Sequence, residues 1–139
     1  MRSFLRKFLI GVAIALGGFI LLSVILAVSV LYLLIAQVEY DRFADPTGQY
    51  EVVITYPKLY HFIPAMPGQG SDMSGNIAIY DREGTFYGGD SLDFVRDGHS
   101  LEWTDTGASL QFVGEWDFEA GTYSYWSEDG QLIVEQVRE

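Results

Sequence analysis

Twenty-nine consecutive residues, Phe8–Ala36, contain no charged side chain and no proline. A bilayer core is about 30 Å thick and takes about 20 helical residues to cross. At about 1.5 Å per residue this run reaches roughly 43 Å as a helix, enough to span with tilt or with one end among the headgroups. Leu, Ile, Val and Phe dominate it. Each contributes roughly −0.3 to −0.6 kcal/mol to insertion near the bilayer centre. A central window holding about a dozen of them gives on the order of −5 kcal/mol, which Ser23 and Ser29 do not cancel. A buried core helix is disfavoured, because the run is apolar on every side and the remaining chain is too short to wrap it. A cleaved signal peptide fits the basic start but not the length, since its apolar region runs about 7–15 residues. Leu34-Ile35-Ala36 also puts a large residue where a cleavage site needs a small one. The sequence therefore predicts an uncleaved transmembrane signal-anchor over residues 8–36, with the lipid bilayer as its first partner.

The flanks give a direction. Arg2, Arg6 and Lys7 precede the run and favour the cytoplasm for residues 1–7. Residues 37–139 are then expected in a periplasm, a lumen or the cell exterior. Tyr32 and Tyr40 suit the outer headgroup layer. Small residues four apart (Gly11 with Ala15, Ala13 with Gly17, Ser23 with Ala27) permit close approach of a second helix.

All 19 carboxylates follow the apolar run, against five cations (Arg42, Lys58, Arg82, Arg96 and Arg138), so residues 37–139 carry a net charge of −14. That argues against nucleic acid and against docking on anionic lipid. It favours solubility and a basic partner. With no cysteine, disulfides, thiolate metal sites and cysteine nucleophiles are excluded. These 103 residues suffice for one domain with one core. Twelve of the chain's 15 glycines and 17 of its 21 aromatic residues fall there, too many rings for disorder and too many glycines for a helical domain.

Residues 37–49 read as a linker ending in Asp45-Pro46-Thr47-Gly48, which is turn chemistry. Tyr50–Tyr56 alternates as a strand until Pro57. A long loop, 58–74, follows. From Gly75 onward short alternating stretches (76–80, 85–87, 91–95, 100–104, 108–113, 122–126 and 131–137) are separated by acid-and-glycine turns. The expected fold is one N-terminal transmembrane α-helix plus an all-β domain over 50–139. That domain reads as an antiparallel meander of about eight short strands forming a small sandwich or barrel.

Chemistry is poorly signalled. Two histidines, His61 and His99, exclude a three-histidine metal site within one chain. No serine stands in a Gly-x-Ser-x-Gly or Ser-x-x-Lys setting, and Gly68-Gln69-Gly70 lacks the strand-to-helix context of a phosphate loop. Glu115, Asp117 and Glu119 alternate and would share one face of a strand. The ordinary reading puts Trp116 and Phe118 inward and the acids in water; Ca²⁺ would need more oxygens. Asp90 with Asp93, and Asp81 with Glu83, are further carboxylate pairs of the kind glycoside hydrolysis uses. No catalytic residue, cofactor or metal is assigned.

The informative stretch is the aromatic loop. Tyr56, Tyr60, Phe62, Ile63 and Met66 put much apolar area beside prolines, either as a partner-binding surface or as a cap on the open end of the β-core. Three functions remain. The first is a non-catalytic, membrane-anchored domain binding a protein or envelope partner outside the cytoplasm through this loop. The second is a barrel-type carrier of a small apolar ligand, which a core filled by Trp103, Phe112, Trp116 and Trp126 would exclude. The third is a carboxylate-based hydrolase.

Overall fold

The computed structural model describes residues 2–64 and 68–137, with side chains from residue 6 onward. The chain divides after Ala36 into two compact units. The first is one helix, α1 (Arg2–Ile35), long and apolar enough to cross a membrane. Its two hydroxyls are satisfied within the helix: Ser23 Oγ donates to the Phe19 carbonyl at 2.9 Å and Ser29 Oγ to that of Ile25 at 2.8 Å. This back-bonding is how a hydroxyl is accommodated where no water is available.

The second unit is all-β, with two antiparallel sheets that do not close into a barrel. The first sheet holds β1 (Gln37–Ala44), β2 (Tyr50–Pro57), β3 (Gly75–Asp81) and β4 (Phe86–Leu92). The second holds β5 (Glu102–Trp103), β6 (Gly107–Leu110), β7 (Gly114–Asp117), β8 (Thr122–Trp126) and β9 (Leu132–Gln136). Strands lie side by side in chain order within each sheet. Val52, Ile54, Ile77, Ile79, Tyr87 and Leu92 of the first sheet and Leu110, Trp116 and Tyr123 of the second form one shared core.

Residues 37–49, expected as a linker, are instead the first hairpin. Gln37 pairs with Pro57 and Ala44 with Glu51, with a bulge at Tyr40. Arg42 holds the strand by bridging Glu39 at 2.7 Å and Glu51 at 2.6 Å. The strand escapes a sequence reading because Gln37-Val-Glu-Tyr-Asp-Arg-Phe-Ala44 loses its alternation at the bulge. The turn residues were legible. Asp45 accepts from Thr47 N–H at 3.1 Å and Tyr50 N–H at 3.0 Å, and Gly48 takes φ 66. Ala36 alone separates the last helical residue from the first strand residue.

Gly88-Gly89, expected to end a strand, lies inside β4, which joins the two stretches read separately as 85–87 and 91–95. A Cβ on Gly88 would stand 2.7 Å from Cβ and Cγ of Tyr123, and a Cβ on Gly89 would strike the Ile77 carbonyl. Gly88 lets β4 lie flush against β8 of the other sheet, while Gly89 lies close against β3 of its own. Gly88 also takes φ 108, which favours glycine. Residues 95–100 form a 3-10 turn over Ile54 and Leu92 rather than a strand end. The strand β7 puts Trp116 inward and Glu115 and Asp117 in water, as the ordinary reading of that alternating stretch has it, but ends at Asp117 before Glu119.

Gly88→Ala is expected to lower unfolding stability by about 2–4 kcal/mol, from overpacking and backbone strain together, read as a lower denaturation midpoint. Burial pushes the Asp45 carboxyl up, but bonds from the Thr47 hydroxyl and the N–H groups of Tyr50, Thr47 and Gln49 hold it lower overall. A carboxyl held lower in the folded state stabilises above its unfolded value, and that stability is lost as pH falls. Acid titration of unfolding below about pH 4 is expected to be shallower in Asp45→Asn than in the natural chain.

Candidate functional site

Pro57, at φ −59, ends β2 and opens a single 3-10 turn, Lys58–Phe62, closed by Ile63 N–H donating to the Tyr60 carbonyl at 3.3 Å. None of its residues is buried. The five residues singled out from the sequence separate here. Tyr56 is half-buried and packs against the core; its ring meets Tyr40 edge-on at 6.3 Å. The Tyr56 ring also stacks on His61 at 5.6 Å, with its hydroxyl 3.1 Å from His61 Nδ1. Tyr60 is half-buried. Phe62 and Ile63 are 66% and 48% exposed. Met66 lies outside the described residues. The loop is therefore fixed at its base by Tyr56 and presents apolar side chains at Phe62 and Ile63.

The second histidine joins the same aromatic row. His99 stacks on Phe43 at 5.6 Å and lies 6.3 Å from Tyr40. Its Nε2 is 3.5 Å from Asp41 Oδ2. Tyr40 thus links His61–Tyr56 on one side to His99–Phe43 on the other, through three segments far apart in sequence. Protonated His99 forms an ion pair with Asp41, and both side chains are about half exposed.

One carboxylate of each group accepts backbone N–H bonds. Asp81 Oδ1 accepts from the N–H groups of Glu83 and Thr85, each at 2.8 Å. Asp117 Oδ1 accepts from Ala120 N–H at 2.8 Å. Asp90 accepts from Ser91 N–H at 2.7 Å and from the Tyr123 hydroxyl at 3.1 Å. Burial, then the Asp90 charge, raises the Tyr123 phenol far above its ordinary value, so it stays a donor. Glu115 and Asp117 face outward from β7 while Trp116 is buried, and Glu119 lies in the turn beyond the strand. Among the described residues no three His, Cys, Asp or Glu side chains come together in a way that could hold a metal ion.

The expected core aromatics also divide. Trp116 is buried and Trp103 half-buried, but Trp126 is 70% exposed and Phe112 is 96% exposed. Leu132 and Val134, on one face of β9, are exposed as well. With Leu-Ile-Val in sequence, both faces of β9 are apolar, so alternation does not say which face is inside. A signal was present elsewhere: residues 102–137 hold eight carboxylates and no Lys or Arg. The barrel needed by a ligand carrier is not formed. The groove of about 570 Å³ between the Asp45–Tyr50 turn and Trp103, floored by Tyr50 and Phe118, is open to solvent.

No family model, no curated protein and no solved structure matches the chain.

Tyr56→Ala is expected to cost about 1–3 kcal/mol, because it removes the ring between Tyr40 and His61. Phe62→Ser is expected to cost less than about 0.5 kcal/mol. Equal losses in denaturant unfolding would contradict this division of the loop.

Proposed function

We propose that the chain is a membrane-anchored, non-catalytic β-domain that binds a protein or envelope partner outside the cytoplasm. In this reading α1 crosses the bilayer with residues 1–7 in the cytoplasm, and residues 37–139 form a small sandwich on the far side. The basic start and the net charge of −14 beyond the helix support that direction.

The observation that carries the binding role is the mounting of Phe62 and Ile63. Large apolar side chains in water are unfavourable, and here they stand on a loop whose base is locked by the Tyr56–His61 stack. A fixed apolar projection gives up little conformational entropy on binding, and aromatic residues are enriched in interface cores. With Ala36 as the only residue between helix and strand, the domain has almost no leash.

Crosslinking in intact membranes followed by purification tests the reading. Tyr60→Ala combined with Phe62→Ala is expected to leave the unfolding midpoint near that of the natural chain and to abolish recovery of the crosslinked partner. Unchanged partner recovery would sink the proposal.

A further inference from the structure

The outer face of the second sheet is ordered by its strand register. Glu102, Ser109, Glu115, Ser124 and Val134 are successive cross-strand partners and form one row from β5 to β9. Trp126 and Leu132, opposite each other, stand beside that row, and Asp117 stands on its other side. A groove of about 570 Å³ runs over this face from Glu102 and Glu115 to Phe112, Trp126 and Leu132. A second of about 410 Å³ adjoins it at Glu115 and Leu132 and continues to Asp117 and Val134.

The apolar wall of the groove is costly to the free domain. Phe112 is the third residue of a turn closed by Val113 N–H donating to the Leu110 carbonyl at 3.0 Å. It takes φ 65 there, where glycine or asparagine is the favoured residue, and its ring is almost wholly in water. Neither the backbone nor the core of the domain gains from a phenylalanine at this position.

Charge selects the occupant. The four described cations of the domain (Arg42, Lys58, Arg82 and Arg96) all precede the second sheet in sequence, so among the described residues Glu102, Glu115 and Asp117 have no cation on their own sheet; Arg138, beyond β9, lies outside them. None of the three makes an ion pair among the described residues. A second copy carries the same −14 charge and anionic lipid the same sign, so both are repelled. A neutral glycan would use the Trp126 ring but leave Leu132, Val134 and the carboxylates without complement. A polypeptide with Lys or Arg beside a large apolar residue satisfies both halves of the groove. Same-side residues of an extended chain repeat at about 7 Å, which is also the spacing of Glu115 and Asp117 along β7.

We propose that this face docks an extended basic segment of a partner protein. A large apolar residue of the segment lies against Phe112, Trp126 and Leu132, and Lys or Arg at alternate positions beyond it reach Glu115 and Asp117. The proposal specifies the partner's chemistry within the interaction reading above but uses a different surface from the Tyr56 loop.

The full chain in nanodiscs of zwitterionic lipid is titrated with the capped peptide Lys-Ser-Lys-Ser-Leu-Ser-Lys-Ser-Lys, whose symmetry serves either chain direction. The same peptide with Glu for Lys, and a chitin hexasaccharide, are the controls. The basic peptide is expected to bind and to change fluorescence in a way lost in Trp126→Phe. Its affinity is expected to fall about tenfold between roughly 50 and 300 mM salt. Glu115→Gln with Asp117→Asn is expected to weaken it about tenfold. Phe112→Gly is expected to weaken it similarly without lowering the thermal midpoint, since glycine tolerates φ 65. Glu128→Gln, in the β8–β9 turn, is expected to leave it unchanged. The proposal is overturned if the basic peptide does not bind by about millimolar concentration, if either control binds as tightly, or if the groove variants bind like the natural chain. Peptide binding that survives Tyr60→Ala with Phe62→Ala, in protein that no longer recovers its crosslinked partner or still does, separates the fate of this surface from that of the loop.

Discussion

The close approach of β4 to β8 at Gly88 is the contact on which the β-domain depends. The two sheets are each built from strands taken in order, and among the described residues no strand pairs across them. Their union therefore rests on side-chain packing rather than on a hydrogen-bonded ladder. Gly88 removes the one Cβ that would hold β4 away from Tyr123, and Tyr123 then reaches past the glycine to donate to Asp90 on the same strand. Trp116, stacked near Tyr123 at 4.8 Å between ring centres, completes the junction. The closeness leaves the buried Trp116 Nε1–H without a hydrogen-bond partner among the described residues. Such a loss is about 1–3 kcal/mol, which the dry packing around it must offset.

The two sheets differ in charge, and this difference divides the surface. The first sheet and its loops hold the described cations, paired as Arg42 with Glu39 and Glu51 and Arg96 with Asp72. These pairs are exposed and contribute little stability singly, and residues 37–101 still carry ten carboxylates against four cations. Among the described residues the second sheet has no such pairs, and Glu102, Glu115, Asp117 and Trp126 are exposed on it. The domain thus carries two unlike candidate surfaces: an apolar projection at the loop after β2, and an anionic groove with an apolar wall across β5–β9.

The β1 hairpin changes the meaning of the connection to the helix. A thirteen-residue linker would let the domain sample a layer tens of ångströms deep. With residues 37–44 in a strand, a single residue, Ala36, separates helix from strand. The bulge at Tyr40 both hid this strand from pattern reading and brought Tyr40 into the aromatic row with Tyr56 and His99.

Local chemistry was legible wherever it acts locally. The apolar run of Phe8–Ala36, the strand of Tyr50–Tyr56, and the Asp45–Gly48, Asp81–Gly84 and Ser127–Gly130 turns could be read because length, alternation and a glycine or acid at a given offset act over a few residues. The excess of carboxylates beyond the helix was equally plain. What tertiary structure alone decided was which apolar residues are inside. Phe112, Trp126, Leu132 and Val134 look like core in a linear pattern. Trp126, Leu132 and Val134 lie in water because the opposite face of the second sheet, with Leu110, Trp116 and Tyr123, is taken by the first sheet, and Phe112 because it stands in the turn between β6 and β7. Gly88-Gly89 reads as a break when only its neighbours in sequence are considered. It lies in a strand because the space Gly88 leaves is filled by Tyr123, thirty-five residues away in the chain, and that of Gly89 by Ile77 and Ala78 of β3.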